Sequence, residues 1–189
     1  MRLEVGVGTT DFQRLMVPCP FLPKITGRDV VYMDITRPDI SIENFIRGDA
    51  EHLPFKTESF SLICASHVIE HLAHPEKFLA ECWRTLKQNG EVRLWCPNFL
   101  STTAHNPFHK QVFNYRSLHK MMTETGFTSN VIGRGFFLWQ YVKDFLSLFW
   151  RTINKISRVW ICDKVRSTFC NELSVIGTKR IEQKAERND

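Results

Sequence analysis

"SFSLICASHVIEHLAHPEKFLAECWRTLKQNGEVRLWCPN" (residues 59–98) reads as strand, break, helix and strand in succession. "SFSLICAS" (59–66) is a short apolar run, and the chain breaks near "AHPEK". Pro75 suits a first helical turn and Gly90 a helix end, so the spacing predicts a helix over 75–90. Phe78, Leu79, Cys82 and Leu86 then share one face at intervals of three and four. "EVRLWCPN" (91–98) is extended again and stops at Pro97. Two buried strands joined by a covering helix form the unit from which parallel sheets are built.

The flanking sequence repeats the alternation. "RLEVGV" (2–7) and "DVVYMDI" (29–35) read as buried strands, and "NFIRGDA" (44–50) holds a third, short one. "NYRSLHKMMTETGF" (114–127) is a helix closed by Gly126, and "TSNVIG" (128–133) is a strand after it. "ELSVIGTKR" (172–180) is a last strand, reached after a long helical segment, and 181–189 reads as a flexible tail. The class is α/β: one domain over 1–180, with a largely parallel sheet and helices on both faces. Ligands of such sheets bind beyond the carboxyl ends of the strands, which directs attention to the residues following each strand.

"RLEVGVGTTDF" (2–12) brings a glycine turn to the first of those ends. A dinucleotide turn of Gly-x-Gly-x-x-Gly is met at Gly6 and Gly8, but Asp11 takes the third place. A carboxylate there would repel a pyrophosphate, and Pro18, Pro20 and Pro23 limit the helix that should receive it. The Gly-Lys-Ser/Thr of a phosphate-binding loop is absent. The pattern acid-x-Gly-x-Gly-x-Gly fits better, through Glu4, Gly6 and Gly8, with Thr10 in the last position.

That turn resembles the first motif of class I S-adenosylmethionine-dependent methyltransferases. "GDAEHLPFKTESFSLICASHVIEHLAHPEKFLAECWRTLKQNGEVRLWCPN" (48–98) is similar to the type 11 methyltransferase family. The resemblance implies a Rossmann-like doubly wound sheet of order 3-2-1-4-5-7-6, its last strand antiparallel, with a helical insertion (136–169) before that strand. It implies S-adenosylmethionine as cofactor. Glu4, Gly6, Val7 and Gly8 would then surround its methionine and ribose part, the glycines allowing close backbone approach. Asp34, with Ile35, would meet the ribose, Asp49 and Ala50 the adenine, and Ser66 would line the site. Thr10 departs from the family's last glycine, and no helix precedes the first strand, so either a more open cofactor pocket or a trimmed form of the chain is expected.

Methyl transfer from a sulfonium is an in-line displacement that asks chiefly for proximity and orientation. A general base is required where the acceptor is a hydroxyl, and histidine is the usual one near neutral pH. Of seven histidines, His67, His71, His105 and His109 fall where the sheet should open. His67 and His105 are the candidates for the acceptor side, whereas Glu70 and His71 are expected to tie the loop to the sheet. His105 and His109 stand four apart, but Pro107 between them argues against a helix, and no metal is expected.

Hydrophobic content of 43% and charged content of 24% suit a folded soluble domain. The six cysteines form no CxxC pair, and neither a signal peptide nor a spanning run is visible, so a reduced, cytoplasmic protein is expected. Residues 1–133 are charge-balanced, so the net +5 resides in 134–189. Within 136–169, aromatic and aliphatic residues recur at three or four along one side, and basic residues occupy mostly the other. Such a segment suits a lid over the acceptor pocket or a helix lying in a membrane interface. The acceptor is then a small molecule, lipid or glycan, with peripheral membrane contact open; no basic aromatic stripe points to nucleic acid. Two other readings stay open: a non-catalytic binding protein on this fold, and a membrane interaction module using 136–169.

Overall fold

The computed structural model describes residues 1–7, 29–38, 41–136 and 170–180. Seven strands form one sheet: Arg2–Val5 (β1), Val30–Asp34 (β2), Phe45–Arg47 (β3), Phe60–Ser66 (β4), Leu86–Pro97 (β5), Thr128–Phe136 (β6) and Cys170–Thr178 (β7). Their order is β3-β2-β1-β4-β5-β7-β6, with β7 antiparallel to both its neighbours and the remaining pairs parallel. This is the Rossmann-like class I methyltransferase sheet that the resemblance implies. The order reverses at β1, with β2 and β3 on one side and β4 and β5 on the other. A crevice therefore opens between the carboxyl ends of β1 and β4, the place where such sheets receive ligands.

One face of the central strands is apolar where the described helices cover it. Leu3, Val5, Ile63, Ala65, Val92 and Leu94 are buried in one core with Phe78, Leu79 and Cys82 of helix Pro75–Thr85 (α1). Helix Tyr115–Glu124 (α2) adds Leu118 and Met122 to the same core. Its start is secured by a reciprocal cap. The Ser117 N–H donates to Asn114 Oδ1 at 2.9 Å, and the Asn114 N–H donates to Ser117 Oγ at 3.0 Å. Cys64, Cys82, Cys96 and Cys170 are free thiols and fully buried, as small core residues commonly are.

Three boundaries differ from the sequence reading. α1 ends at Thr85 rather than Gly90, because Leu86 turns extended and becomes fully buried beside Phe60 of β4. The Asn89 N–H then donates to the Lys179 carbonyl and the Lys179 N–H to the Gly90 carbonyl, both at 2.9 Å. The Lys179 ammonium donates to the Leu86 carbonyl at 2.9 Å, so sheet contacts outcompete the last helical turn. β6 runs on to Phe136 and β7 begins at Cys170, since the two pair along this whole length. The helical character expected of 137–169 lies outside the described residues, as do Gly8, Thr10 and the tail. No described helix is long and apolar enough to cross a membrane.

Candidate functional site

β1 and β4 leave the sheet together, with Val5 opposite Ala65, so Gly6 and Ser66 start their turns side by side. Gly6 has φ +78, a conformation that glycine adopts without strain. A Cβ there would run into the Val68 side chain, so the turn after β1 packs directly on the turn after β4. The glycine is thus required first by Val68 and by its own backbone, a reason that spacing alone did not show. Val7 beyond it is buried. Two bonds lace the neighbouring turns into one rim: Gly6 N–H to the Met33 carbonyl at 2.8 Å, and Gly48 N–H to the Asp34 carbonyl at 3.0 Å.

That rim carries the expected acids. Glu4 and Asp34 are half-buried at the ends of β1 and β2, and Asp34 Oδ1 accepts from the Thr36 N–H at 2.9 Å. Ile35 is 65% exposed, an apolar side chain offered to solvent immediately after β2. Asp49 is exposed beside buried Ala50; its Oδ1 accepts from the Glu51 N–H at 2.9 Å, and Oδ2 faces His52 Nδ1 at 3.4 Å. Ionised carboxylates accept from hydroxyl and amino donors. Carboxylates plus an apolar surface suit a nucleoside with hydroxyl and amino donors. They suit a pyrophosphate poorly, which agrees with the exclusion drawn from Asp11.

On the other side of the crevice the chain takes an unusual path at His67. Its φ is +53, rare for a residue with a Cβ, and its N–H extends the ladder to the Trp95 carbonyl at 2.8 Å. The side chain lies between two carboxylates. Nδ1 is 3.0 Å from Oε1 of Glu70, and Nε2 is 4.0 Å from Oε1 of Glu172 on β7. Burial acts to lower the His67 pKa. The hydrogen bond and charge of Glu70, with the charge of Glu172, outweigh it and hold the imidazole above its ordinary 6.5. Ser66 Oγ, His67 Nε2 and Glu70 Oε2 are buried without a hydrogen-bond partner among the described residues. Buried polar atoms are nearly always satisfied, so three such atoms near one strand end call for a partner, a ligand or water being two that would serve.

His105 occupies a separate turn, Thr102–His105, exposed and with Nε2 bonded to the Phe99 carbonyl at 2.8 Å. His71 and His109 stack edge to face at 4.7 Å and hold the Phe108 and Ala104 carbonyls through Nδ1. One ligand atom from each of Glu70, His71 and His109 lies within 4.8 Å of the others. With the Lys110 and Gln111 N–H groups on the Glu70 carbonyl at 2.8 and 3.0 Å, the cluster works as a clasp binding the 98–113 loop to the turn after β4. Glu70 and His71 were expected to tie their loop to the sheet; the partner is instead the loop after β5. Glu70 also reaches His67, and Glu172 joins it from more than a hundred residues away, a meeting that no sequence spacing signals.

Comparison with known proteins agrees with this geometry. Residues 3–94 match a methyltransferase domain model, that of the type 11 family. A probable S-adenosylmethionine-dependent methyltransferase of Mycolicibacterium smegmatis is 31% identical over 85 residues, 42% of this chain and 33% of that protein. A demethylmenaquinone methyltransferase of Thermotoga maritima is 33% identical over 93 residues, 48% of this chain and 40% of that protein. The chain thus spans well under half the length of these curated relatives. A crystal structure of an S-adenosylmethionine-dependent methyltransferase from Archaeoglobus fulgidus superposes with a TM-score of 0.61 at 18% identity, over 94% of this chain and 85% of that one. The matched residues contain the β1 turn, the acidic rim and the β4–α1–β5 unit. Residues 3–94 thus match the methyltransferase domain of the type 11 family, and the described sheet has the class I methyltransferase fold.

Proposed function

We propose that this chain transfers a methyl group from S-adenosylmethionine to a small-molecule, lipid or glycan acceptor. The observation that carries the reading is the laced rim at the point where strand order reverses. There Gly6, Asp34, Asp49 and Ala50 leave three neighbouring strands and suit a ligand without phosphates. Glu4 and Asp34 serve its amino and hydroxyl donors, Asp49 and the Ala50 amide its base, and Gly6, Val7, Gly8, Ile35 and Ser66 its remaining surface. When bound, the cofactor supplies a methyl carbon on a sulfonium; the acceptor atom gains that carbon as the carbon–sulfur bond breaks and its electron pair stays on sulfur. The protein's own part is to bind, to orient and to exclude water. His67 and His105 belong to the acceptor side, and exposed Phe99 and Phe108 in the loop after β5 offer an apolar surface there.

The test is transfer of a labelled methyl group from S-adenosylmethionine into metabolite and lipid extracts, read by mass spectrometry. A labelled product that requires the protein and disappears with Asp34→Ala supports the proposal. Cofactor binding without any labelled product, across both extracts, would replace it with the reading of a non-catalytic binding protein.

A further inference from the structure

We infer that His67 takes a proton from a hydroxyl group of the methyl acceptor, with Glu70 as its positioning residue. The inference rests on the methyltransferase reading and deepens it, because it names the acceptor class as hydroxyl-bearing. A neutral amine attacks a sulfonium without prior loss of a proton. A hydroxyl is a far better nucleophile once its proton has somewhere to go.

Four observations carry it. The backbone of His67 is held at φ +53 immediately after β4, and such conformations persist where surrounding structure imposes them, often at functional sites. The Glu70 side chain is only 2% exposed and accepts from Nδ1 at 3.0 Å. A carboxylate on Nδ1 fixes the tautomer that carries hydrogen there, which leaves the Nε2 lone pair free. Nε2 itself is buried and unpartnered among the described residues, 4.0 Å from Glu172 Oε1. The Glu172 carboxylate thus acts on the imidazole by its charge. Ser66 Oγ, also buried and unpartnered, stands one residue away.

The proton balance closes within the chain. As the acceptor oxygen gains the methyl carbon, its proton passes to His67 Nε2, and the resulting imidazolium is stabilised by the Glu70 carboxylate on Nδ1. Deprotonation by solvent restores the base. The titratable groups facing this cluster are Glu70 from the turn after β4, Glu172 from β7, and the buried thiols Cys96 on β5 and Cys170 on β7. Cys96 stays a thiol because burial, and then the surrounding negative groups, push its pKa well up. His71 and His109 lie near Glu70 in the clasp described above.

The experiment is a histidine-resolved nitrogen–proton correlation spectrum of the full chain across pH, with the His67 signals identified by their loss in His67→Gln. The expected result is a neutral His67 with hydrogen on Nδ1 and a midpoint above 6.5. In Glu70→Gln the midpoint falls, and in Glu172→Gln it falls less with the tautomer kept. A neutral form with hydrogen on Nε2, or a midpoint that Glu70→Gln leaves in place, overturns the inference. Calorimetry with S-adenosylhomocysteine on the same samples separates the two readings. Binding with the wrong tautomer removes the base and keeps the methyltransferase, whereas the right tautomer without binding sinks the methyltransferase reading on which the base depends.

Discussion

Gly6 and His67 stand on opposite sides of the crevice, and each holds a backbone conformation that its neighbours impose. Replacing Gly6 by alanine puts a Cβ into Val68 and strains a positive φ, for an expected loss of about 1–3 kcal/mol in denaturant unfolding. Adding Val68→Ala should restore part of that loss; a double variant no better than the sum of the singles would show that Val68 is not the obstacle. The His67–Glu70 pair makes a separate, pH-dependent claim. The folded-state pKa of His67 is raised, so its protonation favours the fold: the contribution is full below the ordinary 6.5 and fades as pH rises through the folded value. Glu70→Gln should therefore destabilise more in mildly acidic solution than at alkaline pH, and melting curves at both decide it. Equal deficits at the two pH values would mean that Glu70 stabilises by packing alone. Glu4 and Asp34 could be placed from the sequence because they lie on recognisable strands, and Asp49 and His67 because each follows one. The role of Glu70 toward His67 and the arrival of Glu172 were not, since they depend on how a turn closes and on which strand becomes the neighbour of β5.

At the scale of elements, α1 and α2 hold the sheet from which the site projects. Phe78 is fully buried, and Phe78→Ala should cost about 3–5 kcal/mol in global stability. Asn114→Ala removes one half of the α2 cap and should cost about 0.5–2 kcal/mol. Hydrogen exchange would show that loss concentrated in the first turn of α2; uniform loss across the sheet would contradict it. Periodicity exposed these helices well, including the face of Phe78, Leu79 and Cys82. It overran the end of α1, because Leu86 continues the helical spacing while its burial beside Phe60 belongs to the sheet. Gly90 reads locally as a helix stop, yet its carbonyl is engaged by Lys179 from the far end of the chain. A local signal could not show that competition.

For the whole molecule, strand order converts separate turns into one site. Placing β1 at the reversal gathers residues 4–7, 34–35, 48–50 and 66–67 at neighbouring carboxyl ends, although they are spread along the sequence. That gathering was foreseen through the resemblance carried by 48–98, and the described sheet reproduces it strand for strand. The acceptor's identity is less accessible from sequence because a fold does not fix its substrate. The central claim is that the rim of β1, β2 and β3 holds S-adenosylmethionine. Its most direct test is calorimetric titration of the purified full chain with S-adenosylhomocysteine, beside Asp34→Ala. The account predicts saturable one-to-one binding that is lost or greatly weakened in the variant, while both proteins unfold cooperatively. A folded protein that gives no binding heat at any temperature, or an Asp34→Ala variant that binds as tightly as the parent, would contradict it.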